Sequence, residues 1–368
     1  MNLLNGSGMA AGYTLGLDKT GAEYVVVAVK GTFTLPRPGE APKLAEEQAP
    51  LVDSDLFSGE PGRSATVTEC DFALEKPFCD VLLNGSAHAP DGRMVERVAV
   101  GLQVGAWRKA FTVWGNRVWR GRTISYTPSD PLPFARLPIS YDNAFGGTDE
   151  RMRDPAKVRS YLPNPVGRGW HHHIYPELVN DAPICNTEEI GQPVRDPGGK
   201  YKPMAFGPIG RGWPSRIGFA GTYDQKWVDD VFPFVPADFD SRYFQCAPGD
   251  QQIAHPRGGE KVLLINLTPD GRREFALPSL DMPIVFFRRR ADRVETRGTL
   301  DTVSLEPDAG RFSLVWRASL RLQRDVFEIS QIVVGRMSRG WWRSVETGKD
   351  HKSLDRIARE KAFEREEA

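Results

Sequence analysis

Tyr24-Val25-Val26-Val27-Ala28-Val29-Lys30-Gly31-Thr32-Phe33 is the run on which the fold class turns. β-Branched and aromatic side chains fill it, and these pack well on a pleated surface. It follows the turn Asp18-Lys19-Thr20-Gly21, and residues 13–17 on the far side of that turn are placed to be its hairpin partner. Segments 65–72, 80–87, 97–104 and 107–114 read as further strands, with Asn84-Gly85, Pro90-Asp91-Gly92 and Gly115-Asn116 as turns. Short strands at this spacing predict a sandwich-like or barrel-like β domain.

Periodicity collapses from 127 to 255, where Pro, Gly and aromatic clusters concentrate. One short helix is predicted over 223–232, with Asp224 as N-cap and Trp227 and Val231 on one face. A structureless stretch of this length inside a compact domain must be pinned, by its own aromatics or by a partner. Strands resume at 261–267 and 282–288, then as a hairpin-like pair at 298–305 and 311–320, and last at 329–334. Residues 350–368 have helical composition. The expectation is therefore mainly β: two β-rich, sandwich-like subdomains, 1–126 and 259–343, joined by a loop-rich region with a short helix, 127–258, and followed by a charged helical tail, 344–368.

Composition narrows the function classes. Lys plus Arg is 48 and Asp plus Glu is 48, so there is no surplus of positive charge to favour nucleic acid or acidic membranes. Arg288-Arg289-Arg290 directly follows the apolar run 284–287 and reads as a solvated strand end. No apolar run approaches the ~20 residues that span a bilayer, and residues 1–17 lack the charged start of a secretory leader. Cys70, Cys79, Cys185 and Cys246 form no Cys-x-x-Cys pair. Scattered thiols of this kind read as reduced, and the expected location is the cytoplasm.

Candidate chemistry is sparse. His171-His172-His173 suggests a metal, yet adjacent side chains of an extended chain point in opposite directions and seldom share one ion. Cys246 and His255 could pair as thiol and imidazole, but no nucleophile signature surrounds Cys246, and a small buried side chain is the plainer reading. Phosphate-binding glycine loops, nucleophile elbows and His-Glu-x-x-His are absent from the sequence. No catalytic residue, metal ligand or cofactor is assigned.

Two blocks stand out instead. Pro165-Val166-Gly167-Arg168-Gly169-Trp170 recurs 43 residues later as Pro208-Ile209-Gly210-Arg211-Gly212-Trp213. The tryptophans are expected to clamp the loops from inside, and the arginines could offer planar forks to a partner's carboxylates. Tyr141, Asp142, Phe145, Arg168, Trp170, Arg211, Trp213 and Trp227 are the partner-binding candidates.

Tyr141-Asp142-Asn143-Ala144-Phe145-Gly146-Gly147-Thr148 followed by Asn164-Pro165-Val166-Gly167-Arg168-Gly169 resembles a large bacterial family first catalogued as a domain of unknown function. Ala220-Gly221-Thr222-Tyr223-Asp224-Gln225-Lys226-Trp227 through Phe232-Pro233-Phe234-Val235-Pro236-Ala237-Asp238-Phe239-Asp240 looks like its second signature, extended by Asp250-Gln251-Gln252. The likeness spans roughly 10–335. It does not reach His171-His172-His173, residues 184–202 or the tail after Trp342.

That family is encoded beside type VI secretion genes. The resemblance implies a cytoplasmic adaptor-chaperone that binds an effector protein, a PAAR-repeat protein or the VgrG spike and promotes loading of the effector. It brings no catalytic residues. Two other readings compete with it: a metal-dependent hydrolase or modifying enzyme using 171–173, and a structural component that leaves with the spike.

Overall fold

A computed structural model describes residues 1–122, 125–149, 155–289 and 293–347. The run at 24–33 lies within a 12-residue strand, Glu23–Thr34, that is buried continuously from Val25 to Phe33. Burial on both faces makes it a central strand. Ala10–Leu17 pairs antiparallel on one side through the expected hairpin, and Arg311–Arg321 pairs antiparallel on the other. The hairpin turn is held by Asp18, whose carboxylate accepts the backbone N–H of Thr20 at 2.8 Å and of Ala22 at 3.0 Å. Gly21 there has φ of 76°, a conformation natural to glycine.

This sheet has seven strands. Its path runs Gln252–Ile253, Cys79–Leu83, Thr299–Glu306, Arg311–Arg321, Glu23–Thr34, Ala10–Leu17, with the short Lys43–Leu44 also on Glu23–Thr34. A five-stranded sheet runs Thr187–Glu188, Trp107–Trp114, Arg97–Val104, Lys261–Ile265, Arg272–Ala276, and a four-stranded one runs Asn2–Asn5, Ile329–Val334, Pro283–Arg288, Arg293–Arg297. The architecture is mainly β, as the strand pattern predicts. Segments 1–126 and 259–343 nevertheless contribute strands to the same three sheets, and one apolar core joins Val27, Val100, Ile284 and Leu314. The boundaries at 126 and 258 mark changes of periodicity along the chain rather than edges between sheets. The physical reason is visible in Thr299–Glu306, which inserts between Cys79–Leu83, parallel, and Arg311–Arg321, antiparallel.

The loop-rich middle is pinned by its own aromatics. Trp119, Tyr126, Phe145, Ile184 and Val194 form a second buried cluster, with Tyr161, Trp170 and Tyr201 packed on it. Gln251, in the Asp250-Gln251-Gln252 block, is fully buried and donates to Val81 O and Phe206 O, both at 2.9 Å. It thereby ties the middle region to the Cys79–Leu83 strand. A C-terminal helix, Arg339–Thr347, seats Trp341 against Val285 and Val333. Of the expected tail, 348–368 lies outside the described residues, as does Arg290. No helix among the described residues is long and apolar enough to cross a membrane.

One buried cation has a consequence for pH. Lys109 donates to Gln251 Oε1 at 2.6 Å and lies 3.2 Å from Asp250 Oδ2. Burial outweighs the Asp250 charge and pushes its ammonium down to about 8 from the ordinary 10.5. Between those values the unfolded chain binds more protons than the folded one, so this group makes stability rise with pH. The unfolding free energy of the wild type, minus that of Lys109→Met, is expected to increase across the window from about pH 8 to 10.5. Urea titrations at a series of pH values measure it, and a flat difference would contradict the depressed lysine.

Candidate functional site

A cleft of about 770 Å³ lies at the turn end of the first hairpin. Leu17–Thr20 of the turn, Leu74 to Lys76, Phe239 to Phe244 and the start of Thr299–Glu306 form its walls. Its floor is ionic. Arg317 pairs with Asp301 and donates Nε–H to Asp71 O at 2.7 Å. Lys76 donates to Asp80 Oδ2 at 2.7 Å and to Thr302 Oγ1 at 3.3 Å. Asp80 also accepts from Gln245 Nε2 at 2.6 Å, from Cys246 N at 3.0 Å and from Ala247 N at 3.2 Å. Burial works against the Asp80 charge, but the Lys76 ammonium and these donors hold its carboxyl below the usual range. These charges are compensated within the fold, as buried ions require.

Cys246 and His255 spend their polar contacts elsewhere. The Cys246 thiol donates to Asp80 Oδ2 at 3.3 Å, and burial together with the Asp80 charge pushes it well above the ordinary thiol range. His255 Nε2 lies 3.0 Å from Lys76 O. A thiol so protonated is a poor nucleophile. All four cysteines are free. In the histidine tract, His173 N donates to Asp149 Oδ2 at 3.1 Å and its ring stacks on Tyr175. Among the described residues no group of three His, Cys, Asp or Glu side chains is arranged to hold a metal ion.

Beside the cleft, residues 219–240 leave the body as an excursion stapled at its base. Asp240 N donates to Phe219 O at 3.0 Å, and Thr222 donates its N–H and hydroxyl to the Asp238 carboxylate at 3.0 and 2.8 Å. The predicted helix is here, shortened to Gln225–Asp230, with Asp224 as its N-cap accepting from Trp227 N at 2.9 Å. The Trp227 ring N–H donates to Phe234 O at 2.8 Å across the cis Phe232–Pro233 bond. Tyr223, Val228 and Phe232 stand at 53%, 52% and 65% exposure, so the excursion carries apolar surface into solvent. Phe234 lies over the hairpin turn, within 3.2 Å of where a Cβ on Gly21 would be. Excursion, turn and cleft therefore form one continuous face.

Most sequence candidates are spent inside the fold. Tyr141, Phe145 and Trp213 are buried, and Tyr141 meets Trp213 edge-on at 5.1 Å. Their side chains pack the core and present no surface to a partner. Asp142 accepts from Ser58 Oγ at 2.6 Å and Ala65 N at 2.8 Å. Trp170 is half-buried on the second cluster. Arg168 hydrogen-bonds Asn186, while Arg211 binds Asp55 at 2.8 Å and Glu69 at 2.9 Å. Burial opposes the Arg211 charge, yet Asp55 and Glu69 hold its pKa above the ordinary value. The guanidinium forks thus meet the protein's own acceptors. Only Trp227 belongs to the exposed face, and it supports Tyr223 and Phe232 by edge contacts at 4.7 and 5.6 Å. Tyr223, Phe232 and Phe234 were not among the candidates. The second signature contains all three and the predicted helix contains Tyr223 and Phe232, but neither reports which side chains face solvent.

The model of a family described as an uncharacterized protein conserved in bacteria (DUF2169) matches residues 20–317, and the chain belongs to that family. No curated protein and no solved structure matches it.

Proposed function

We propose that this member of the family is an adaptor: it binds another protein in the bacterial cytoplasm and promotes its loading onto the type VI secretion spike. The cargo on this reading is an effector, or the PAAR-repeat protein that joins an effector to VgrG. The resemblance of the 141–148 and 220–240 blocks supplies the pathway. The observation that carries protein binding is the stapled excursion, which holds Tyr223, Val228 and Phe232 out in water beside an open cleft. Clustered exposed aromatics of this kind are characteristic of interaction surfaces, where they become anchors once desolvated.

Co-expression with the proteins encoded beside it, followed by affinity capture, tests the reading. An effector, PAAR protein or spike component is expected to be retained and to gain soluble yield. Phe232→Ser is expected to weaken that retention about tenfold, the loss of one anchor of ~1.4 kcal/mol. Because Phe232 is 65% exposed, the thermal midpoint should stay within about 2 °C of wild type. Retention of no neighbouring protein would overturn the proposal.

A further inference from the structure

Ala10–Leu17 is the outer strand of the seven-stranded sheet, paired with Glu23–Thr34 through eight consecutive residues without a bulge. Among the described residues its outward backbone groups meet no hydrogen-bond partner. Proteins normally blunt such an edge with charge, proline, a bulge or brevity, because it templates a further strand. The other edges of the three large sheets obey this. Thr187–Glu188 and Gln252–Ile253 have two residues each, and Asn2–Asn5 has four. Arg272–Ala276 (RREFA) and Arg293–Arg297 (RVETR) are charged. Ala10–Leu17 reads AAGYTLGL and is long, uncharged and proline-free.

Apolar rails flank this edge on both faces. On one face Tyr13, Leu15 and Leu17 are 38%, 50% and 42% exposed. On the other, Leu51, Phe72 and Leu74 lie over the strand and are each half-buried. A Cβ on Gly12 would sit 2.8 Å from Leu51 and 3.3 Å from Phe72, and one on Gly16 would sit 3.6 Å from Leu74. The two glycines let the rail close down on the backbone.

We propose that this edge is a strand-addition site for an extended segment of about eight residues from the adaptor's protein partner, uncharged and apolar on both faces. The partner's identity as cargo rests on the adaptor reading above. Backbone pairing would hold the segment, and the two rails would bury its alternate side chains. A free segment of that composition is an aggregation hazard, which is what an adaptor would shield. A second copy of this chain fits less well. Two-fold antiparallel pairing keeps the same face up in both copies, so two coverings of residues 51–74 would be brought within one strand spacing, ~4.8 Å, of each other. A bare segment brings no such covering.

The test uses the full chain with the protein retained in the co-expression capture above and with overlapping ~12-residue peptides tiled over that protein, long enough for one strand. At least one uncharged apolar peptide should bind and slow amide exchange across Ala10–Leu17. Leu15→Lys, a charge on the edge, should weaken that binding about tenfold or more, while Met94→Lys, at a 63% exposed apolar residue, should not. Absence of any binding peptide, equal binding by Leu15→Lys, or protection of 10–17 by concentration-dependent dimers of the chain alone would each overturn the inference. The whole protein retained with no protection at 10–17 sinks this inference and leaves the adaptor reading standing. Loss of all retention sinks the adaptor reading as well.

Discussion

Asp80→Ala is expected to lower the unfolding free energy by about 3–5 kcal/mol, the cost of leaving a buried partner charge uncompensated. Five donors converge on this carboxylate: Lys76 Nζ, Gln245 Nε2, the Cys246 thiol, and the backbone N–H groups of Cys246 and Ala247. Removing it strands the Lys76 ammonium, which is also buried, and the N–H groups of Cys246 and Ala247, just beyond the 239–244 wall of the cleft. Asp80→Asn keeps the shape and one acceptor oxygen but removes the charge, so its cost should fall between alanine and wild type. Because the folded pKa of Asp80 is depressed, its contribution is fully present above the unfolded value near 3.8 and is lost as pH falls through the folded value. Urea denaturation at neutral pH measures the loss. A cost under about 1 kcal/mol for Asp80→Ala would mean that Lys76 finds another partner, and Glu69, 3.9 Å away, is the group placed to supply it.

How far the sequence could be read follows from where each interaction partner lies along the chain. The Glu23–Thr34 strand was legible because β-branched residues in an unbroken run report a local preference. So were Arg97–Val104, Trp107–Trp114 and the Asp224 cap. Arg272–Ala276 and Arg293–Arg297 were not, since three charges in five residues on an edge strand resemble a solvated loop. The twin Pro-x-Gly-Arg-Gly-Trp blocks were legible as motifs, but their roles were not. Arg168-Gly169 pairs as a short parallel strand with Phe145-Gly146, whereas Arg211 reaches back 156 residues to Asp55. Nearly identical local sequence meets different distant partners, and no spacing rule reports that. The exposed edge had left a trace, the alternation of Tyr13, Leu15 and Leu17. It was read only as a hairpin partner because a single strand does not announce which of its sides is open.

The signature 141–148 is a backbone construction, and Gly146→Ala should show it by costing about 3 kcal/mol or more. Gly146 and Gly147 have φ of 149° and 124°, which L side chains rarely adopt. A Cβ on Gly146 would lie 2.2 Å from Asn164 O, and one on Gly147 would lie 2.7 Å from Gly167 O. Asn164 is fully buried and donates Nδ2–H to Tyr141 O at 2.9 Å and to Phe145 O at 3.2 Å, so it cannot retreat without releasing the turn. Gly62→Ala is the control. Its φ is 80°, but a Cβ there has nothing within 4 Å, so only the backbone penalty of about 1–2 kcal/mol applies. The difference between the two variants in urea denaturation reports the clash with Asn164 together with the more forbidden backbone at φ 149°. Equal costs would mean that 164–167 moves freely away from 146–147. In that case the signature would not be explained by packing, and a direct role in contacting the partner would have to be sought there as well as on the excursion and the open edge.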